Sequence, residues 1–493
     1  MRRLLTELRD YLGELVFTGW RGWQAFFFAP ADPTALGLIR VIVGLLAFWS
    51  LLIFGLDLGD YFGSQGWADP TVIGPLQRQL HPLYWSFWYL VADGWLRAVW
   101  MLCLAVLGLY TAGLFSRTTG VLAWVIIVST VRRLPIALFG FDQILSTLAL
   151  YLAVSFASGQ AVSLDRFFKR WRSARAAARQ VKPPGSTGGR RVSPEQPGAP
   201  RPTVSANLAL RLIQLHLVFI YANAGLAKLQ GPSWWTGLAL WGTLTAGEFV
   251  TRDFTWISRW PTLVNFLTHA SLAFELLYPV LIWIRITRPL LLAGAVVLHI
   301  GIALVAPGLT EFGVAMMAAN LAFVSGTWLR SLVTGRQQPA VRVLFDGACP
   351  RCRASMALLT AADPDRVIEP IDLTAVQVES LHPALTHDAC MKSMHVLLRD
   401  GRVKAGFDAV RAIGGWLPLF WLPTLFAWLP GVAWVGRFVY NMVAVSRRRD
   451  AVCTDEACGI HFPERPAKTG AHDVHSEQPV SDDRVFSEEL HRP

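Results

Sequence analysis

Eight apolar stretches, each about as long as a bilayer is thick, constrain this chain more than anything else in it. They run near 34–55, 95–115, 118–134, 142–159, 207–229, 262–284, 289–306 and 311–329, the third and seventh being the shortest. Inside lipid every backbone N–H and C=O must be paired within the chain, so a spanning segment is a helix of about 20 predominantly apolar residues. The expected fold class is therefore a mostly α-helical polytopic membrane bundle of about eight spans. Composition agrees, since only 16% of the residues are charged, where a soluble domain carries about 25%. The 21 Trp and 28 Phe suit the aromatic belts found at both membrane interfaces.

The formal net charge is +11, but the basic residues cluster between apolar stretches. There they set orientation and contact anionic lipid, so membrane lipids are the expected partners and nucleic acid is not. Arg2, Arg3, Arg9 and Arg21 precede the first span, a basic segment follows the fourth, and Arg285 and Arg288 follow the sixth. With eight spans all of these fall on one side, which the positive-inside rule makes the cytoplasm. A multi-pass protein of a bacterial-type inner membrane, with both termini cytoplasmic, is expected. Arg132 and Arg133 fall on the opposite side and dissent. At the start of the chain, Glu7, Asp10 and Glu14 interrupt any signal-peptide core. Leu4, Leu5, Leu8, Leu12, Leu15 and Val16 instead recur at helical spacing, which predicts an interfacial amphipathic helix over residues 1–30.

Helices one to four then occupy 31–160 and helices five to eight 206–330. The segment 161–205 between them reads as a basic helix followed by a Pro/Gly/Ser linker that cannot bury a core. Residues 340–460 change character. VRVLF reads as a buried strand, 350–361 as a helix and VIEPIDL as a second strand, and SMHVLLRDGRVKAGF as a hairpin turning at Asp400-Gly401. The following GGWLPLFWLPTLFAWLPGVAWVGRFVYNMVAV imitates a ninth span, but Pro418, Pro423 and Pro430 break it into short packed or membrane-skimming helices. A small α/β domain thus follows the bundle, and a polar tail, 463–493, is expected to be disordered.

VLFDGACPRC, from Val343 to Cys352, carries the chemistry of that domain. A strand running into Cys-x-x-Cys at a helix N-terminus stabilises a thiolate on the first cysteine through unpaired amides and the helix dipole. Cys349 is then the exposed nucleophile and Cys352 the resolving thiol, with Arg351 and Arg353 supporting the charge and Asp346 opposing it. Two alternatives stand beside redox chemistry: half a zinc site completed by Cys453 and Cys458, and a domain without surviving activity. Six cysteines are too few for a disulfide scaffold, and Cys103 and Cys390 read as packed thiols. In a reducing cytoplasm the dithiol is the expected resting state.

Ionisable residues within the spans are the other candidates, because each is costly there: His216, Lys228, His269, Glu275 and His299. Tyr221, Ala224, Gly225 and Lys228 share one helical face, where small residues leave room beside the lysine. Lys228 reads either as a base in a partly apolar pocket or as an ammonium snorkelling to the headgroups.

Two resemblances add to this. FDGACPRC, RDGRVKAGFDAV and FVYNMVAVSRRRDAVC together resemble the DCC family of thiol-disulfide oxidoreductase-like proteins, over about 340–460. The resemblance implies a thioredoxin-like fold with Asp346, Cys349 and Cys352 as its signature positions. AGLAKL followed by a Trp pair, and FELLYPVLIWIRITRPL followed by His299, are similar to the HTTM family of vitamin K-dependent gamma-carboxylase and its bacterial relatives, over about 30–330. That similarity implies Lys228 as the base that deprotonates a vitamin K-like quinol, with a quinone as the candidate cofactor. Asp142, in FGFDQILS, stands where the carboxylase has a catalytic histidine, and the carboxylase's large lumenal domain has no counterpart here.

Three functions follow as expectations. One is a membrane oxidoreductase that exchanges with a thiol-containing small molecule or protein and whose bundle binds a quinone or another lipid-soluble molecule. Its catalytic residues are Cys349, Cys352 and Lys228, supported by Asp346, Tyr221, Asp142, Glu275 and His299, with no metal. The others are a membrane-anchored scaffold with a non-catalytic DCC-like domain, and a vitamin K-dependent carboxylase-like enzyme.

Overall fold

The computed structural model describes residues 2–80, 84–180, 198–245, 252–334 and 339–446. The expected tail, Cys453, Cys458 and the Pro/Gly part of the linker lie outside them. Helices stand at all eight expected places: α1 (Arg2–Phe28) leads into α2 (Thr34–Phe54), α3 (Leu96–Ala112), α4 (Ser116–Arg133) and α5 (Gly140–Ser155). After α6 (Leu164–Gln180) come α7 (Val204–Leu229), α8 (Pro261–Leu281), α9 (Arg288–Val305) and α10 (Thr310–Asn320). Among the described residues five helices are long and apolar enough to cross a membrane, or up to seven if each bent pair forms one span. α5 is too short at 16 residues, and α10 belongs to a pair bent by 112°. Eight apolar stretches therefore become eight helices, of which fewer meet the length and composition of a span. On α1, Leu8, Leu12, Leu15 and Val16 stay about half exposed or more, leaving an apolar face open to lipid.

Two arginines are fully buried in the bundle. Arg40 donates to the carbonyls of Ser158 (2.8 Å) and Val162. Arg133 donates to the carbonyls of Ala68, Phe62 (3.1 Å) and Gly63 (3.1 Å). The terminal nitrogens of each guanidinium are used and tie a loop to a helix, which offsets much of the cost of burying a cation, while the Nε of each finds no acceptor among the described residues. Arg133 is thus a structural clamp rather than a loop charge, which removes one of the two residues that dissented from the charge asymmetry.

The C-terminal domain is built on a four-stranded sheet. Its strands β1 (Val341–Phe345), β2 (Ile368–Asp372), β3 (His395–Leu398) and β4 (Val403–Ala405) lie in the order β2-β1-β3-β4. β1 pairs parallel with β2 (Val341 opposite Ile368, Phe345 opposite Asp372) and antiparallel with β3 (Val341 opposite Leu398). The parallel pair is joined through α11 (Pro350–Ala362), and β3 and β4 form the expected hairpin, with Gly401 at φ +80° in its turn. β1 is central and apolar on both faces: Val341 and Val343 join one core with Ile368 and Met356, Leu344 another with Leu373 and Cys390. Beyond the sheet α12 (Gly406–Trp416), α13 (Trp421–Ala427) and α14 (Pro430–Val445) follow, with a 118° bend at the Pro418 break. Pro418 and Pro430 break the apolar run as expected, whereas Pro423 lies within the first turn of α13. Leu422, Leu425, Trp428, Trp434 and Phe438 on these helices are each more than half exposed.

The basic helix α6 packs along α11. Its Arg170, 5% exposed, donates to the carbonyls of Thr360 (2.8 Å) and Asp363 (2.7 Å), at the C-terminal end of α11. Arg330 pairs with Asp32, just before α2, and with Asp365 of the C-terminal domain (3.0 Å). Ala31 in turn bridges Thr203, the cap of α7. The C-terminal domain therefore sits at the end of the bundle where α2 and α7 begin.

Candidate functional site

β1 delivers the chain to a four-residue loop, Asp346–Cys349, from which α11 starts. Cys349 caps the helix in an extended conformation (φ −92°, ψ 119°), and its Sγ accepts the Cys352 N–H at 3.4 Å. Pro350 follows in the first turn, where a missing N–H loses nothing. Asp346 closes the loop from beneath: its carbonyl accepts the Cys349 N–H (3.2 Å) and its Oδ1 the Ala348 N–H (3.0 Å). Asp346 is buried, which makes this signature carboxylate a loop-builder.

A second carboxylate, absent from the sequence reading, completes the loop. Asp372, the last residue of β2, accepts the Gly347 N–H at 3.1 Å and holds its own turn through Thr374. A Cβ on Gly347 would lie 2.1 Å from Asp372 Oδ2, so a side chain here would have to displace the carboxylate that holds the Gly347 N–H. The Asp-x-Thr turn after β2 is visible in the sequence; its contact with Gly347 depends on the parallel pairing of β1 and β2. Arg353 donates to the Gly347 carbonyl (2.8 Å), and Arg351 reaches the Ser446 carbonyl just beyond α14 (2.7 Å).

The electrostatics favour a thiolate on Cys349, with neither the Arg351 nor the Arg353 side chain among the causes. The Cys349 thiol is drawn down to about 6. The Cys352 side chain hydrogen-bonds it, burial opposes this, the Cys352 and Arg351 amides assist, and Asp346 resists. Exposure is the reverse of expectation. Cys349 is 1% exposed, whereas Cys352 is half-buried and opens on a cavity of about 480 Å³. The physical reason is the cap itself, which turns the first sulfur back over the helix amides and leaves the second, three residues on, facing outward. Cys390 also lines this cavity, its thiol pushed up to about 11 by burial. All four described cysteines are free.

In the bundle the structure brings together four residues chosen from the sequence. Lys228 Nζ meets both oxygens of Glu275 (2.6 and 2.9 Å), with the Trp234 ring 5.2 Å away. Tyr221 and His299 Nε2 share a hydrogen bond of 2.8 Å. Tyr221 also lies against Tyr278 (centroids 4.1 Å apart), whose hydroxyl donates to Asn320 at 2.6 Å; Tyr278 and Asn320 were not singled out. Gly225 permits the close approach of α7 and α8, since a Cβ there would stand 2.9 Å from the Leu276 side chain. The other candidates have local partners. Asp142 accepts the Phe139 N–H at the start of α5 (3.1 Å), His216 meets Tyr151 (3.3 Å), and His269 Nδ1 faces the Asn265 carbonyl (3.0 Å).

Lys228 and the cysteines are not brought together. Lys228 lies 25 residues beyond the Thr203 cap of α7, or about 38 Å along the helix at 1.5 Å per residue, and the C-terminal domain adjoins the other end. Among the described residues no group of three or more His, Cys, Asp or Glu is placed to hold a metal ion; the zinc alternative rests on Cys453 and Cys458, outside them.

Residues 343–451 match the family model described as DCC1-like thiol-disulfide oxidoreductase. No curated protein and no solved structure matches the chain.

Proposed function

We propose that this protein is an integral membrane thiol–disulfide oxidoreductase in which Cys349 and Cys352 carry two electrons as a dithiol–disulfide pair. The observation that carries the reading is the cap: Cys349 Sγ sits on the Cys352 amide at the start of α11, the placement that holds a thiolate. The DCC1-like match over the same residues and the β2-β1-β3-β4 sheet, an order suited to a thioredoxin-like domain, support it. In the reductive direction the loop over Cys349, which is 1% exposed, opens locally; the Cys349 thiolate then attacks one sulfur of a substrate disulfide and the other leaves as a thiolate that takes a proton. Cys352 then displaces the bound half, forming the Cys349–Cys352 disulfide and releasing the second thiol. A thiol-containing small molecule or protein is the substrate class, and a cytoplasmic thiol pool resets the pair. The cytoplasmic placement of this domain and of both termini rests on the arginine asymmetry.

The bundle anchors the domain in the membrane. Thiol exchange needs direct sulfur attack, so a quinone or carboxylase reaction at Lys228 would run separately from the cysteines. Its test is carbon dioxide fixation dependent on a reduced quinone and lost in Lys228→Ala. For the main proposal the test is trapping. Cys352→Ser, mixed with hydroxyethyl disulfide, should accumulate a mixed disulfide on Cys349 detectable by mass spectrometry, and Cys349→Ser should lose turnover. Undiminished turnover in Cys349→Ser refutes the proposal and favours a non-catalytic scaffold.

A further inference from the structure

The cavity beside Cys352 has features that packing alone does not explain. At about 480 Å³ it falls within the size range of small-molecule sites. Its lining is mostly apolar, with Phe407, Met394 and Tyr440 among its walls and Cys352 opening onto it. Arg411 lines it too. The guanidinium of that residue lies 4.3 Å over the Trp428 ring, and its Nη2 pairs with Asp408. Its Nε is buried with no acceptor among the described residues. A buried donor without a partner is unfavourable, and a ligand bearing an acceptor would relieve it.

The approach to the cavity is apolar as well. Val410 and Val443 belong to its lining and are 41% and 53% exposed. The surrounding helices α12–α14 turn Leu425, Trp428 and Phe438 outward, each more than half exposed. A ligand entering here comes past a surface suited to the membrane interface, so it is lipid-soluble. Sulfur is only a weak acceptor, so an apolar disulfide would leave Arg411 poorly served, whereas a quinone carbonyl would accept from it well.

We propose that this cavity binds a lipid-soluble quinone, one carbonyl taking the Arg411 Nε–H, and that the Cys349–Cys352 dithiol reduces it. The step rests on the dithiol reading above and adds the oxidant. The Cys352 S–H bond breaks, a sulfur–sulfur bond forms between the two cysteines, and the pair gives up two electrons. The quinone takes both electrons and two protons, one from Cys352 and one from solvent, and becomes the quinol.

The test uses the full-length protein in lipid nanodiscs, reduced, freed of reductant and kept anaerobic. The probe is a dimethylnaphthoquinone whose ring carbons are both blocked against thiol addition. One quinol should form per protein as two thiols disappear. Val410→Trp, which fills the cavity, and Arg411→Leu, which removes the donor, should each lower the quinone rate about tenfold relative to the same variant's rate with hydroxyethyl disulfide, a free-energy difference of about 1.4 kcal/mol. A wild-type protein that reduces hydroxyethyl disulfide but neither binds nor reduces the quinone overturns the cavity assignment and leaves the dithiol reading standing. A protein that reduces neither overturns both. Quinone kinetics unchanged in both variants overturn the site.

Discussion

Replacing Cys352 by alanine tests the electrostatics of the cysteine pair most directly. The Cys349 thiol stands at about 6, and its hydrogen bond from the Cys352 side chain is the largest cause. An ordinary cysteine titrates near 8.5. At pH 7 a thiol of pKa about 6 is about nine-tenths thiolate, against about 3% for an ordinary one, a gain of about thirtyfold. Intrinsic nucleophilicity falls as pKa falls, with a Brønsted slope of about 0.4–0.5, which takes back a factor of about ten to eighteen over that interval. The net advantage at pH 7 is only about two- to threefold, so a single rate measurement decides nothing. The pH midpoint decides. Carbamidomethylation of the Cys349 peptide by iodoacetamide, followed by mass spectrometry across pH 4–10, should rise with a midpoint near 6 in the wild type. In Cys352→Ala the midpoint should climb toward, without reaching, the ordinary value, because the amides of residues 351 and 352 still face the sulfur. A wild-type midpoint at or above about 8.5, or one that Cys352→Ala leaves in place, refutes the argument.

The same pair predicts a pH-dependent stability. Because folding depresses the Cys349 pKa, the thiolate stabilises the reduced domain fully above the unfolded value, near 8.5, and this is lost as pH falls through about 6. The Tm gap between reduced wild type and Cys349→Ser should accordingly shrink from pH 9 to pH 5, and a constant gap would count against it. Gly347→Ala drives a methyl group against the Asp372 carboxylate and should cost about 1–3 kcal/mol, read as a lower denaturation midpoint of the C-terminal domain. An unchanged midpoint would show that the loop yields freely. Arg170→Ala removes the donor to the Thr360 and Asp363 carbonyls and should cost about 1.5–3 kcal/mol. Faster hydrogen exchange at the end of α11 is the expected sign. Glu275→Gln breaks the ion pair with Lys228, whose side chain is 24% exposed, so the cost belongs at the low end of the about 3–5 kcal/mol for a buried pair. A Lys228→Met/Glu275→Leu double variant should recover most of the lost Tm; if it melts as low as the single variant, the pair is not the cause.

Most of the secondary structure was legible because its signals are local. VRVLF and VIEPIDL alternate or run apolar as buried strands do, Asp400-Gly401 marks a hairpin, and Pro418 and Pro430 stand where helical elements begin. The face shared by Tyr221, Gly225 and Lys228 followed from helical periodicity. Their partners Glu275 and His299 were flagged as costly polar residues within spans, but their pairing was not readable. Span count rests on a different ground. Hydropathy along the chain does not show whether an apolar helix such as α5 is long enough to face lipid or short enough to be enclosed by its neighbours. Arg133 misled the charge count because a fully buried guanidinium and a loop arginine are the same letter.

By itself the amino-acid sequence determined an apolar helical bundle, a separate α/β domain after it, and a cysteine pair at the mouth of a helix. All of these follow from period, composition and turn chemistry within a few residues. Tertiary structure alone decided which sulfur is covered, that Asp372 holds Gly347, that α6 grips α11 through Arg170, and that an apolar cavity opens at Cys352. Those depend on groups far apart in the chain meeting at a few ångströms, where burial and hydrogen bonding, rather than residue type, set what each side chain can do.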